Sequence, residues 1–156
     1  MERYERIHTI RTFVPRLRAL VQGLTSTQLT TAYNAPEWTI AQNVHHLVDS
    51  HVNSYMRFKK VLTEDNPVLP VYNQDDFAKL PDAQRPYLED SFTILEGLHA
   101  RWAVMLDHIE DWSRAGYHPE QEKTLSLDDL LTMYANHCEA HLRQIQDVLD
   151  AMDNPA

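Results

Sequence analysis

From Ser126 to Met152 the chain sets Leu127, Leu130, Tyr134, His137, His141, Ile145, Val148 and Met152 at steps of three and four. That spacing belongs to a long amphipathic α-helix, and a helix that buries one stripe along its whole length needs partners of similar length to cover it. A Ser126-x-x-Asp129 box opens the segment and Pro155 stops it. Two positions of the stripe, where leucines would be expected, are histidines. Residues i and i+4 lie one turn apart on the same face, so His137 and His141 could bring their ring nitrogens to one ion at about 2.0–2.1 Å. The alternative is that each is a core histidine bonded to a carbonyl or a Tyr hydroxyl. A third ligand would decide between them.

Three more helical stretches follow from the same periodicity. The first covers roughly Arg3 to Gln22, with Ile7, Ile10, Val14, Leu17, Leu20 and Val21 on its inner side; Pro15 should kink it or mark a late start, because it removes a donor and clashes one turn back. A polar connection from Gly23 to Trp38 leads to a Thr39-x-x-Gln42 capping box and a second helix running to about Leu62. A Pro-containing segment then extends from Asn66 to Pro86, with one helical turn expected around Gln74 to Lys79. Connections of this length often cover a site or span a crossover. The third helix takes in Leu88 to Asp111, with Phe92, Leu95, Leu98, Trp102, Met105, Leu106 and Ile109 inward. The chain has only three Gly, and no strand pattern persists between turn signals. The expected fold is therefore all-α, a four-helix bundle in one domain spanning residues 1–156, and such bundles build metal sites from side chains on facing helices.

Composition narrows the partners. A formal charge of −9 argues against nucleic acid, which is held by clustered Lys and Arg. A single cysteine, Cys138, excludes an intramolecular disulfide framework, and no long apolar run reads as a signal peptide or membrane span. A soluble cytoplasmic protein without a membrane or nucleic-acid partner is expected.

The second helix carries the densest chemistry, and three of its histidines compete for the role of third ligand. At about 100° per residue, Ile40, Val44, Leu47, Val48, His51, Tyr55, Phe58 and Leu62 share one apolar face. His51 belongs to that face and His45 lies at its edge. His46 falls on the opposite, polar side with Asp49, Ser50, Asn53 and Arg57. Helical geometry does not choose among the three.

The string Trp38-Thr-x-x-Gln-x-Val-His45-His46-Leu-x-Asp49-Ser50-His51-x-Asn53-Ser-Tyr-x-Arg57-Phe58, the later Leu98-His99-x-Arg101-Trp102, the Tyr117-His118-Pro119 piece and the Tyr134-x-x-His137-x-x-x-His141 helix resemble the DinB/YfiT group of metal-dependent hydrolases, the YfiT branch in particular. The resemblance covers most of the chain from about Leu29 onward. It implies a four-helix bundle carrying one divalent metal per chain, zinc or nickel, on three histidines. The ligand of the second helix in that group is the His directly before the Leu, which is His46 here; the others are His137 and His141. The resemblance also implies a homodimer. Close members are more histidine-rich in the last motif, where this chain has Glu139 and Gln144.

Given that set, the polar face of the second helix acquires a use. Asp49 is the expected catalytic base or orienting carboxylate, and Asn53 and Arg57 are expected to bind substrate. Glu139 sits about 200° around its helix from His137 and should point away. Arg101 and His99 could line the mouth of the pocket from the third helix, and His118 could cap it from the connection to the fourth. Three neutral imidazoles leave a divalent ion with an open position, as in catalytic zinc sites, where water is acidified towards neutrality or a thiol binds as thiolate. The expected function is a metal-dependent hydrolase using metal-activated water on a small-molecule substrate. The alternatives are a metal-dependent S-transferase moving a low-molecular-weight thiol to an electrophile, and a non-catalytic metal- or ligand-binding bundle of a stress response.

Overall fold

The computed structural model describes residues 1–155. It is mostly helical, and its four long helices are α1 (Arg3–Val21), α3 (Ile40–Thr63), α5 (Glu89–Asp107) and α6 (Leu127–Asp153); the short helices α2 (Ser26–Thr30) and α4 (Gln74–Ala78) lie in the connections. Among the described residues no helix is long and apolar enough to cross a membrane.

The helix starts are where polar side chains can take up the free amides of a first turn. Thr39 accepts from the Gln42 N–H at 3.1 Å while Gln42 accepts from the Thr39 N–H at 3.0 Å; Ser126 and Asp129 exchange the same pair at 3.0 and 2.9 Å. These two boxes set the starts of α3 and α6, the helices that carry the histidines. α1 packs against both α5 and α6, and α3 against α5 and α6. Between them lies a core led by Trp102, Phe13, Phe58, Phe92 and Leu47, each 2% exposed or less. Burying each such side chain contributes about 1.5–3 kcal/mol.

Three expectations need correcting. α1 starts at Arg3 and continues through Pro15, which therefore does not mark a late start. Pro15 and Arg11 are both exposed residues, so the carbonyl that loses its partner one turn back is on the side of the helix where water can replace it. α5 stops at Asp107, not Asp111, although Ile109 still packs against the core from outside the helix. The segment after it forms an unexpected antiparallel hairpin, β1 (Ala115–His118) with β2 (Lys123–Ser126). Strands of four residues are too short to show an alternating pattern.

The hairpin fixes the long connection. Leu69 N–H donates to Tyr117 O and Tyr117 N–H to Pro67 O, both at 2.8 Å. Gly116 permits this approach, since a Cβ there would meet Leu69 Cδ2 at 2.7 Å and Pro67 O at 3.0 Å. The connection is thereby pressed onto α3, and the Pro70 carbonyl accepts from Asn53 Nδ2 at 3.2 Å and Arg57 Nε at 2.9 Å.

Candidate metal centre

α3 is buried on both its apolar and polar sides, so all three competing histidines are inside: His45 is 6% exposed, His46 1% and His51 0%. Their hydrogen bonds separate them. His45 donates from Nε2 to Arg85 O at 2.8 Å and accepts at Nδ1 from Ser91 Oγ at 2.6 Å, so both its nitrogens are used. Both nitrogens of His51 are used as well. Neither nitrogen of His46 has a partner among the described residues. A buried polar atom left unpaired is costly, and an aromatic wall of Trp38, with ring centroids 4.7 Å apart, offers none.

His46, His137 and His141 each present one nitrogen, and the three atoms lie within 4.8 Å of one another. Two hydrogen-bonded chains, each ending on a backbone carbonyl, decide which nitrogens are free. Ile10 O can only accept, so His99 Nδ1 carries the proton at 2.7 Å; neutral His99 then accepts at Nε2 from His51 Nδ1 at 2.7 Å; and His51 Nε2 accepts from His137 Nδ1 at 3.4 Å. On the other side Thr39 O accepts from Asn43 Nδ2 at 3.2 Å, which turns Asn43 Oδ1 to His141 and makes His141 Nδ1 the donor at 3.0 Å. A neutral imidazole has one N–H. Both Nε2 atoms are therefore bare, and they face each other at 3.0 Å. Two lone pairs at that distance repel unless a cation lies between them. Ser50 Oγ, 3.4 Å from His137 Nε2, can serve one of them but not both. With the partnerless His46 beside them, the donor set fits a divalent ion held by three neutral imidazoles.

Burial keeps these rings neutral. It pushes His46 and His137 down to about 3, and His141 and His99 to about 4; His51 is also held well below the usual value, by burial first and then by His99. In the unfolded chain these rings protonate near 6.5. Below that pH the unfolded state takes up protons that the native state refuses, so stability is fully present above about 6.5 and is lost as pH falls towards 4 and 3. Each ring that stays neutral contributes a slope of about 1.4 kcal/mol per pH unit in that window. Chelator-treated protein should show a urea midpoint that falls steeply between pH 7 and pH 5. A midpoint unchanged over that range would mean that the histidines are not held neutral.

Two cavities meet at His137. One, of about 620 Å³, reaches both His137 and His141 and has Glu37, Asp75 and Asp147 exposed along it. The other, of about 610 Å³, runs from His137 past Ser50 and Tyr134 to Asn53 and Arg57. Of the residues singled out from the sequence, the structure thus brings together the three histidines, Asn53 and Arg57. Asp49 is half-buried, lines neither cavity and has its carboxyl pushed up by burial and then by Asp82. His118 is buried in β1, where Nδ1 accepts from Gln121 N–H at 3.2 Å across the hairpin turn. Arg101 stands 5.7 Å over the Tyr55 ring in a separate groove with Val104 and Ile109. His99 lines neither cavity; it is a buried link of the first chain. Glu139 points away as expected, into a two-bond ion pair with Arg16 at 2.6 and 3.0 Å that holds its carboxyl below the usual range. Cys138 is fully buried, which pushes its thiol up and leaves it inert. The roles of Asn43 and His99 escaped sequence reasoning, whereas His51, once His46 is taken as the ligand, reads as a core histidine or one that supports the ligands, and it is buried between His99 and His137. The one available signal for the others was the density of histidine on inward faces.

The fold and site define a helical bundle in which three histidines from two facing helices converge as a donor set that could hold a metal ion. The chain belongs to the DinB superfamily, whose profile matches residues 11–145. It is 40% identical over 133 residues to a "Putative metal-dependent hydrolase" of Bacillus pumilus, covering 84% of this chain and 75% of that one. It is 36% identical over 135 residues to "Putative metal-dependent hydrolase YfiT" of Bacillus subtilis, covering 85% and 76%. Among solved structures, YfiT from Bacillus subtilis, described as "a probable metal-dependent hydrolase with an unusual four-helix bundle topology", superposes with a TM-score of 0.93 at 32% identity, covering 97% of this chain and 88% of that one.

Proposed function

We propose that the protein is a metal-dependent hydrolase that holds one divalent ion, zinc or nickel, on His46, His137 and His141. The observation that carries this is the pair of bare Nε2 atoms facing each other at 3.0 Å beside a buried histidine with no partner. When bound, the ion supplies a Lewis acid with a position open to a further ligand. The chain's own residues do the rest. His51 and His99, and Asn43 on the other side, hold the ligand rings in one tautomer and orientation. The buried faces of α3 and α6 keep bulk water from one side of the site, Trp38 packs on the His46 ring at the edge of the 620 Å³ cavity, and the two cavities give access. Relatives named as hydrolases support the reaction class.

A second reaction, transfer of a low-molecular-weight thiol to an electrophile, is favoured by one observation. Asp49, the carboxylate expected to take a proton from water, lines neither cavity. A thiol, with a pKa near 8.5, needs less help from a base than water does.

Elemental analysis of untagged protein, followed by assays with ester and amide panels and with a thiol plus a halogenated or epoxide electrophile, tests both. About one metal per chain is expected, with ester or amide turnover in the absence of thiol. Electrophile loss that requires thiol would replace the hydrolase with the transferase. A protein that takes up no zinc or nickel would overturn the metal centre.

A further inference from the structure

The proposed metal centre leaves one buried charge without a task. Arg57 is 7% exposed, and its guanidinium uses Nε on Pro70 O at 2.9 Å and Nη1 on the Tyr134 hydroxyl at 2.7 Å. Both partners are neutral. Among the described residues no carboxylate pairs with it, although the chain has 23 acidic residues against 14 Lys and Arg. Buried charges are ordinarily paired, because the lost hydration is otherwise uncompensated. Of its five N–H donors two are spent, and Nη2 makes no hydrogen bond to the described residues.

Arg57, with Nη2 free, lines the 610 Å³ cavity that also reaches His137. We infer that Arg57 is the carboxylate-binding end of the substrate site, and that the substrate is a small molecule with a carboxylate at one end and its reacting group at the other. This rests on the proposed function for the position of the reacting group, and on Arg57 alone for the carboxylate. A planar guanidinium edge matches a carboxylate with two parallel hydrogen bonds. Arg57 is the one Lys or Arg along this cavity, and Glu120 stands exposed at it, so a monoanion suits the site better than a phosphate dianion. The other cavity, edged by Glu37, Asp75 and Asp147, would repel the same group. The two cavities therefore give the substrate one polarity across the metal position.

Two measurements test this separately from the metal. In metal-free protein, propionate should shift the Arg57 Nε–H resonance in a nitrogen-15 NMR titration and propionamide should not. In zinc-loaded protein, ω-mercaptocarboxylates from mercaptoacetate to 6-mercaptohexanoate are compared with their primary amides by calorimetry. The best-bound acid should exceed its amide by about tenfold or more, as expected for a charge-assisted pair. Arg57→Gln should bring the ratio to about one while zinc content and amide affinity hold. Should that variant loosen the connection at Pro70, Arg57→Lys keeps the charge without the planar edge and should retain part of the preference. No preference for the acid, a preference that survives Arg57→Gln, or an Arg57 resonance indifferent to propionate would overturn the carboxylate site. A protein that binds neither zinc nor nickel would overturn the proposed function, and the propionate titration would still decide the carboxylate site.

Discussion

His46→Leu is expected to abolish metal binding and at the same time to stabilise the metal-free protein. The first effect follows from removing one of three ligands, which should cost more than the roughly 10–100-fold typical of outer hydrogen-bonding partners. The second follows from burial: His46 is 1% exposed and neither ring nitrogen has a partner. An apolar side chain of similar size relieves that penalty, worth about 1–3 kcal/mol. His45→Leu should do the opposite on both counts. It keeps the metal, and it removes the bonds at 2.6 and 2.8 Å to Ser91 Oγ and Arg85 O; Arg85 is exposed and its carbonyl can turn to water, but buried Ser91 Oγ is stranded, at a cost of about 1–3 kcal/mol. Elemental analysis and urea unfolding of chelator-treated proteins read both quantities. Equal destabilisation by the two substitutions would show that His46 has a protein partner, and equal metal loss would show that the centre does not depend on His46 in particular.

The second large effect is expected at a residue that touches no metal. His51→Leu breaks the chain that starts at Ile10 O, so nothing accepts from His137 Nδ1 and the ring is free to take the other tautomer. Metal affinity should fall by about 10–100-fold. His51→Gln offers one donor and one acceptor and should restore part of the loss, which a merely space-filling role would not explain. The visible spectrum of the cobalt-substituted protein reports ligand geometry independently of affinity. If His51→Leu and His51→Gln bind metal as wild type does, the chain does not position His137.

Much of this was legible in the residues. The stripes of α3 and α6 and their capping boxes marked the two helices that carry the site, and the i, i+4 step put His137 and His141 on one inward face. What could not be read was which of the three histidines on α3 joins His137 and His141 in the candidate metal set. Periodicity assigned His46 to a polar face and His51 to an apolar one, a distinction that holds only if one side of the helix meets water; α3 is covered on both. Resemblance supplied His46, and the hydrogen bonds explain the choice, since its two neighbours spend their nitrogens on Ser91, Arg85 and His99. The links that orient the ligands were invisible for another reason. His99 lies 48 positions from His51, and Asn43 lies 98 from His141, so only the packed helices bring them together. Asp49 shares α3 with His46, yet it reaches neither cavity.

The two carbonyls at the ends of the hydrogen-bonded chains bear on how such a site can drift over time. Every amino acid supplies a main-chain oxygen, so substitution at position 10 or 39 leaves the acceptor in place as long as the local helix geometry survives. The direction in which protons point through the site is thus anchored outside the reach of point mutation. Through these two chains, variation can retune the centre from the interior links at 43, 51 and 99, where one change reverses or severs a chain. Those three positions, and not the ends, are where related chains with different metal preferences should diverge.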